Sequence, residues 1–206
     1  MESECNLDWK KSIKMAIRGV LDPVVKLISQ MGISPVAVTI TGVLISLIGA
    51  VSVGRGNLVT GAVILIISGL CDTIDGSLAR KDGRVTLFGA FIDSTGDRIT
   101  EMAYFGGLIF YYLHNTPAGR FHIFFLLLAL AGSILTSYTR ARAEGLGMEC
   151  KVGLLERPER IVLMIVGLLF GSFVLTAVIV VLALLTIFTF IQRVMHVRRL
   201  TAERDL

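Results

Sequence analysis

The sequence predicts an all-α, polytopic membrane protein with six transmembrane helices preceded by an N-terminal amphipathic interfacial helix. Of its 206 residues, 54% are hydrophobic and the mean hydropathy is +0.76, whereas ordinary soluble domains are about 45–50% apolar. A membrane-spanning helix needs about 20 mostly apolar residues, and several long stretches carry no Asp, Glu, Lys or Arg. These stretches are residues 27–54, 56–71, 102–119, 121–139 and 161–192. We therefore expect a single membrane domain over residues 1–206.

The basic residues are clustered, and the clusters predict an orientation in the membrane. The net charge is +4, and all of the 20 Lys and Arg residues except Arg55 and Arg120 lie in four segments. The segments are residues 10–26, 80–98, 140–160 and 193–204. Cytoplasmic loops of membrane proteins are enriched in Lys and Arg in this way. We expect both termini on the cytoplasmic side of the cell membrane, and no nucleic-acid partner.

Residues 8–31 are predicted to form the interfacial helix. Apolar side chains recur at helical spacing and basic side chains occupy the other face, which is typical of a helix that lies flat on a membrane. A surface helix of a soluble domain would show the same periodicity, but the long uncharged stretches that follow favour the membrane. The apolar positions are Trp9, Ile13, Ile17, Val20, Val24, Leu27 and Met31.

Six membrane spans are predicted to follow as a bundle over residues 35–196. The first starts at Ser34-Pro35, because serine caps helices and proline is favoured in the first turn. The uncharged stretch 161–192 would be about 48 Å long as one helix, which exceeds the hydrocarbon core of about 30 Å. A break near Gly171-Ser172 divides it into two spans. The spans are expected near residues 35–54, 57–80, 87–113, 119–141, 157–174 and 175–196.

Two pairs of acidic residues fall within these apolar segments. Asp72 and Asp75 lie on one face of the second predicted span, and Asp93 and Asp97 lie on one face of the third. The segment 80–87 between them contains Asp82-Gly83 and predicts a cytoplasmic turn, so the two acidic faces can meet in an antiparallel hairpin.

Ionisable residues at membrane depth are costly and usually functional, and four converging carboxylates need an opposite charge. Oxygen ligands suit hard cations such as Mg2+ or Mn2+, and two such ions form a clamp for phosphoryl chemistry. Arg80 and Arg84 border the pairs and can bind phosphate oxygens. A solvated acidic loop is the structural alternative. The ion pathway of a transporter is a second alternative, but it has no evident use for the arginines.

The spacing of these residues resembles the signature of the CDP-alcohol phosphotransferase family. Eight positions match: Asp72-x2-Asp75-Gly76-x2-Ala79-Arg80-x8-Gly89-x3-Asp93-x3-Asp97. The resemblance extends over most of the chain, from the interfacial helix through the six spans. It implies transfer of a phosphatidyl-type group from a CDP-linked lipid to an alcohol, with release of CMP. It also implies a homodimer among membrane lipids, with the active site on the cytoplasmic side.

The resemblance further implies roles for individual residues. Asp72 and Asp93 would bridge two metal ions, most simply Mg2+, with Mn2+ as the alternative. Asp75 would complete the site of the first ion and Asp97 that of the second. Asp97 would also be the general base that takes the proton of the attacking hydroxyl. The CDP-linked lipid would contact Pro35, Val36, Ala37, Val38, Gly76, Arg80 and Thr86.

A second polar segment, residues 137–162, resembles the phosphatidylinositol phosphate synthase branch of this family and its archaetidylinositol phosphate relatives. The resemblance implies that Arg140, Arg160 and Arg193 hold the phosphate of 1-myo-inositol 3-phosphate, and arginine suits phosphate on chemical grounds. Positive-inside anchoring is the structural alternative. Glutamates lie among these arginines, so we expect some of the arginines to be ion-paired. Glycerol 3-phosphate is a second anionic acceptor, and a non-catalytic metal transporter or lipid-binding protein is the alternative from another class.

Overall fold

The computed structural model describes residues 19–115 and 119–204, and within these ranges the protein forms seven α-helices and no β-strand. The all-α prediction is therefore confirmed for the described part of the chain. Helix α1 covers residues 19–30. The others are α2 (Pro35–Gly54), α3 (Leu58–Lys81), α4 (Leu87–Asn115), α5 (Gly119–Gly145), α6 (Arg157–Leu169) and α7 (Ser172–Arg204).

Four of these helices are long and apolar enough to cross a membrane: α2, α3, α5 and α7. The protein is accordingly a multi-pass membrane protein. Helix α4 has 29 residues, but its first half carries Asp93, Asp97, Arg98 and Glu101. Helix α6 has 13 residues, which gives a length of about 20 Å, less than the hydrocarbon core of about 30 Å. Six spans therefore stay a prediction, with α4 and α6 as the two untested ones.

The predicted break in the long apolar stretch is confirmed at Gly171. Its φ angle is +87°, a conformation that glycine adopts without steric cost. Its carbonyl accepts the first hydrogen bond of the next helix, from the Leu175 amide at 2.9 Å. The predicted end of the fifth span at residue 174 is wrong, because α6 ends at Leu169, whereas the predicted span 175–196 lies within α7, which runs from Ser172 to Arg204.

The chain divides into two compact units, and each is described separately. The first comprises the described residues within Met1–Ile45 and Ile66–Ile99. In it, α1 packs onto α2 and α3 around a buried cluster formed by Val25, Val38, Ile74 and Leu78. A hydrogen bond of 2.7 Å from Ser29 to Asp82 ties α1 to the turn between α3 and α4.

The face by which α1 packs is not the apolar face that the sequence predicts. Leu21, Val25 and Ile28 contact the first unit's core, whereas the predicted positions are exposed: Val20, Val24, Leu27 and Met31. The helix is therefore apolar on two neighbouring faces, only one of which is covered by protein. The other predicted positions, Trp9, Ile13 and Ile17, lie outside the described residues.

The second unit comprises the described residues within Ser46–Leu65 and Thr100–Leu206. In it, α7 packs against both α5 and α6 over a core that includes Phe105, Leu126 and Leu182. Helices α5 and α7 approach closely at Gly132, where an added Cβ atom would collide with the hydroxyl of Thr186. Small residues allow membrane helices to approach in this way.

We expect Gly132→Val to destabilise the protein, because the extra atoms would force α5 away from α7. Overpacking of this kind costs about 1–3 kcal/mol, which corresponds to a fall of several degrees in unfolding temperature for a chain of this size. The control is Gly106→Val, since an added Cβ atom at Gly106 meets nothing within 4 Å. Thermal unfolding in detergent compares the two variants, and equal unfolding temperatures would contradict the packing at Gly132.

Candidate functional site

Three carboxylates of the first unit converge, as the hairpin prediction requires. One carboxylate oxygen each from Asp72, Asp93 and Asp97 lie within 4.8 Å of one another, and all three residues are half-buried. We call this group the acidic trio. Asp72 lies on α3, and the other two lie one turn apart on α4. The chain reverses between the helices at residues 82–86, where Gly83 has a φ angle of +63°.

The acidic trio fits a divalent cation. Mg2+ binds oxygen ligands at about 2.0–2.1 Å, so opposite ligands of one ion lie about 4.2 Å apart, within the spacing of the trio. Three negative charges held this close repel one another, and a hard cation offsets that repulsion. The donor set, consisting of carboxylate oxygens alone, matches Mg2+ or Mn2+ rather than softer metals.

The fourth predicted ligand, Asp75, is not part of the trio. It is 5% exposed, and its Oδ2 accepts a hydrogen bond of 2.6 Å from Thr39 of α2. The same hydroxyl of Thr39 also approaches the carbonyl of Pro35. The carboxylate of Asp75 is therefore held against the start of α2, and its role as a metal ligand stays a prediction.

An open cavity of about 630 Å³ lies beside the trio within the first unit. The start of α2, the end of α3, the turn and the start of α4 enclose it. Its lining residues are Ser34, Pro35, Val36, Thr39, Asp75, Gly76, Ala79, Arg80, Arg84, Val85, Thr86, Gly89, Ala90 and Asp93. Asp93 belongs to both the lining and the trio, so the acidic trio and the cavity form one site.

Most of the predicted CDP-lipid contacts line this cavity. Five of the seven do so: Pro35, Val36, Gly76, Arg80 and Thr86. Val38 instead belongs to the buried core beneath α1, and the amide of Ala37 donates a hydrogen bond of 3.2 Å to the capping hydroxyl of Ser34. Sequence reasoning assigned no site role to Ser34 or Thr39, although both flank the predicted contacts at the start of α2.

Local geometry explains two of the predicted contacts. A Cβ atom on Gly76 would lie 3.3 Å from Nη1 of Arg80, so glycine leaves room for that guanidinium over the cavity. Thr86 caps α4, because its Oγ1 accepts a hydrogen bond of 2.9 Å from the amide of Gly89. The hydroxyl proton of Thr86 can then be donated to a ligand in the cavity.

The three predicted acceptor arginines all lie in the second unit, and all have partners within the protein. Arg160 is 3% exposed. Its Nε and Nη2 donate to the two carboxylate oxygens of Glu101 at 2.7 and 3.2 Å, and its Nη1 donates to the carbonyl of Leu155 at 3.4 Å. Sequence reasoning missed Glu101. The spacing in the sequence could have indicated Glu101, because it follows Gly89, Asp93 and Asp97 at the same interval of four residues.

The other two arginines are held in different ways. Arg193 is 3% exposed, and it donates to the backbone carbonyls of Val152 at 2.9 Å and Thr136 at 2.6 Å. Arg140 is half-buried and pairs with Glu144 at 2.9 Å and, more distantly, with Glu156 at 3.9 Å. The expected pairing between the arginines and nearby glutamates is confirmed for Arg140.

Comparisons with known proteins identify the relatives of this chain. The family model for CDP-alcohol phosphatidyltransferases matches residues 32–197. The archaetidylinositol phosphate synthase of Methanothermobacter thermautotrophicus is 37% identical over 198 residues, which cover 94% of this chain and 96% of the relative. The phosphatidylinositol phosphate synthase of Streptomyces avermitilis is 35% identical over 201 residues, with coverages of 90% and 81%.

The similar solved structures are also of a phosphatidylinositol phosphate synthase. The crystal structure of Mycobacterium tuberculosis phosphatidylinositol phosphate synthase with CDP-DAG bound matches with a TM-score of 0.80 at 33% sequence identity. The match covers 85% of this chain and 92% of that one. The structure of the same enzyme in complex with manganese and citrate matches with a TM-score of 0.79 at 33% identity, with coverages of 85% and 87%.

We expect Asp93→Asn to weaken divalent-metal binding, because it removes one of three charged oxygen ligands. The loss should be at least about tenfold, since even indirect partners of a metal typically contribute 10–100-fold. Titration of the detergent-solubilised protein with Mn2+, followed by electron paramagnetic resonance, measures the affinity. The matched control is Asp82→Asn, because Asp82 lies outside the trio. Equal Mn2+ affinities in the two variants would exclude the trio as the metal site.

Proposed function

The chain belongs to the CDP-alcohol phosphatidyltransferase family, and we propose that it transfers a phosphatidyl-type group from a CDP-linked lipid to 1-myo-inositol 3-phosphate, releasing CMP. It is a membrane-embedded transferase of phospholipid synthesis. The relatives include both archaetidylinositol and phosphatidylinositol phosphate synthases. The donor is therefore assigned as a class, CDP-diacylglycerol or CDP-archaeol.

The single observation that carries this proposal is the continuity of the cavity with the acidic trio through Asp93. The starts of α2 and α4 both open into the cavity, and helix N-termini attract phosphate through their free amides and dipoles. Arg80 and Arg84 add two positive charges to the lining. A volume of about 630 Å³ also falls in the range of about 300–1,000 Å³ that small-molecule sites occupy. These features fit a pyrophosphate with an attached nucleoside.

The acidic trio holds divalent metal in this proposal, specifically two Mg2+ ions with Asp75 as the fourth ligand. Support comes from the all-oxygen donor set and from the relative whose structure contains manganese. When bound, such ions would neutralise charge on the pyrophosphate oxygens and on the leaving CMP. The carboxyl group of Asp75 lines the same cavity as Asp93, which is consistent with its participation.

Asp97 is assigned as the general base. The hydroxyl oxygen of the acceptor attacks the β-phosphorus of the CDP-lipid, and its proton passes to the Asp97 carboxylate. The bond between the β-phosphorus and the bridging oxygen breaks, and CMP leaves with that oxygen. A positioned base of this kind contributes about 10²–10⁴-fold to the rate. The displacement is direct and needs no phosphorylated enzyme residue.

The acceptor phosphate is assigned to Arg140, Arg160 and Arg193 of the second unit. The burial of Arg160 and Arg193 supports this role over simple membrane anchoring, because anchoring cations are solvated whereas these two are each 3% exposed. The names of the relatives favour inositol phosphate over glycerol 3-phosphate as the acceptor.

The proposal includes a membrane arrangement. The six predicted spans would cross the bilayer, with the termini and the active site on the cytoplasmic side. Helix α1 would lie on the membrane surface, and the exposed apolar side chains of Val20, Val24, Leu27 and Met31 support that position. A homodimer is also proposed, because glycine-rich spans allow helices of two copies to approach closely.

A panel of acceptors tests the proposed function. Membranes that contain the protein are incubated with CDP-lipid, Mg2+ and one alcohol at a time, and CMP release is measured. We expect CMP with 1-myo-inositol 3-phosphate and little with glycerol 3-phosphate or serine. Serine lacks the phosphate that the arginines would bind, and the names of the relatives favour inositol phosphate over glycerol 3-phosphate. CMP with glycerol 3-phosphate alone would reject the acceptor assignment. CMP with none would favour a non-catalytic transporter or lipid-binding protein.

Asp97→Asn should abolish turnover while CDP-lipid binding persists. The amide keeps the shape of the side chain but cannot accept the hydroxyl proton, so we expect kcat to fall by about 10²-fold or more. CDP-lipid binding is measured directly by calorimetry at saturating Mn2+, so that a partial loss of metal affinity does not confound the result. A variant with ordinary kcat would eliminate Asp97 as the base.

A further inference from the structure

Arg160, which is assigned to the acceptor phosphate, forms a buried ion pair with Glu101, a residue to which the proposed mechanism gives no role. Their side chains are 4% and 10% exposed, and both carboxylate oxygens of Glu101 accept hydrogen bonds from the guanidinium. Two parallel bonds of this type fix the plane of an arginine as well as its position. Burying both charges is costly, and such a pair is often no more stable than an apolar replacement. Stability alone therefore does not account for the pair.

Glu101 occupies only one edge of the guanidinium. An arginine side chain has five N–H groups, and the carboxylate takes those on the edge formed by Nε and Nη2. The carbonyl of Leu155 takes one from Nη1. Because each terminal nitrogen carries two hydrogens, the edge formed by Nη1 and Nη2 retains at least the second hydrogen of Nη2. Guanidinium hydrogens of this kind bind phosphate oxygens.

The void that borders the ion pair is too small for a phosphate. The void that Thr100, Glu101, Tyr104 and Arg160 help to line has a volume of about 10 Å³, which is about the room that one water molecule needs. Since the carboxylate of Glu101 occupies the edge formed by Nε and Nη2, the acceptor phosphate is assigned to the edge formed by Nη1 and Nη2.

The loop between α5 and α6 completes the support of Arg160. The amide of Leu155, whose carbonyl binds Arg160, donates to Thr189 of α7 at 3.1 Å, and the amide of Leu154 donates to Gln192 at 3.1 Å. Arg193 binds the carbonyl of Val152 in the same loop. Arg160 and Arg193 are thus held by one loop, while Glu101 is the only acidic side chain that contacts the Arg160 guanidinium among the described residues.

We propose that Glu101 is a positioning residue for the acceptor: it holds the guanidinium of Arg160 so that the free edge receives the phosphate. This inference rests on the proposed function, because it takes the phosphate-bearing acceptor as given. Glu101 does not touch the reacting atoms. Its loss therefore weakens acceptor binding, and it leaves CDP-lipid and metal binding as they are.

The test uses Glu101→Gln, which keeps the shape and removes the charge. We expect the KM for 1-myo-inositol 3-phosphate to rise about tenfold or more, because the isosteric amide accepts at one oxygen only and no longer fixes the guanidinium. The KM for CDP-lipid and the Mn2+ affinity should not change. Glu101→Asp retains the charge and should restore part of the acceptor affinity. If Glu101→Gln fails to fold, the acceptor KM of Glu101→Asp is compared with that of wild type, and a smaller rise in this KM is expected.

The matched control is Glu149→Gln in the α5–α6 loop. Glu149 is exposed and paired with Lys151, whose hydrogen bond lowers the pKa of that carboxyl group. It is therefore ionised at neutral pH, and the substitution removes the same charge as Glu101→Gln without touching an arginine. Its acceptor KM should equal that of wild type. A rise in the control equal to that in Glu101→Gln would overturn the positioning role in favour of a general charge effect.

A double variant separates positioning from a merely structural role. When one residue acts through another, the effects of substituting the two are not additive. The double variant Glu101→Gln/Arg160→Gln should therefore have the same acceptor KM as Arg160→Gln alone. A purely structural role would lower the unfolding temperature of Glu101→Gln and leave the acceptor KM of the folded protein unchanged, and that result would overturn the inference.

Failure of the inference is distinguishable from failure of the proposed function. Wild type that releases CMP with inositol phosphate, alongside Glu101→Gln with an unchanged acceptor KM, would overturn the inference alone. Wild type that responds only to glycerol 3-phosphate would overturn the acceptor assignment, and the KM comparison would then be made with that acceptor. No CMP with any acceptor would overturn both.

Discussion

Repulsion among three clustered carboxylates is the constraint on which the first unit depends. Asp72, Asp93 and Asp97 lie within 4.8 Å of one another, and such a cluster is stable only when positive charge is supplied. The tight turn at Gly83 brings α4 back along α3 and creates the cluster. The same reversal places Arg80, Arg84 and the start of α4 around one cavity. The acidic trio and the cavity therefore have a single structural origin.

The second unit contains arginines that are wholly or partly buried, and each has a different kind of partner. Arg193 is satisfied by backbone carbonyls, Arg160 by the carboxylate of Glu101 and a carbonyl, and Arg140 by exposed glutamates. Only Arg160 is neutralised by a buried carboxylate among these three. An arginine with one edge neutralised can bind an anion on the other at lower desolvation cost, because it is already removed from water in the free protein.

Sequence reasoning performed best where function follows helical spacing. The intervals of three and four residues around Asp72 and Asp93 placed the carboxylates on the facing sides of two helices, and the trio confirms that placement for three of the four. It performed less well at Ala37 and Val38, which follow Pro35 in the chain but turn away from the cavity. Along a helix, consecutive residues point in different directions, so Thr39, one turn after Pro35 and Val36, lines the cavity while Ala37 and Val38 do not.

The sequence by itself determined the helical class, the apolar lengths, the break at Gly171 and the faces on which the aspartates lie, because these depend on local composition and on the period of the helix. Only the tertiary structure decided the partners of the charged groups. Asp75 is held by Thr39, 36 residues away, and Arg160 by Glu101, 59 residues away. Periodicity orients a side chain about its own helix, but packing between helices decides which group it meets.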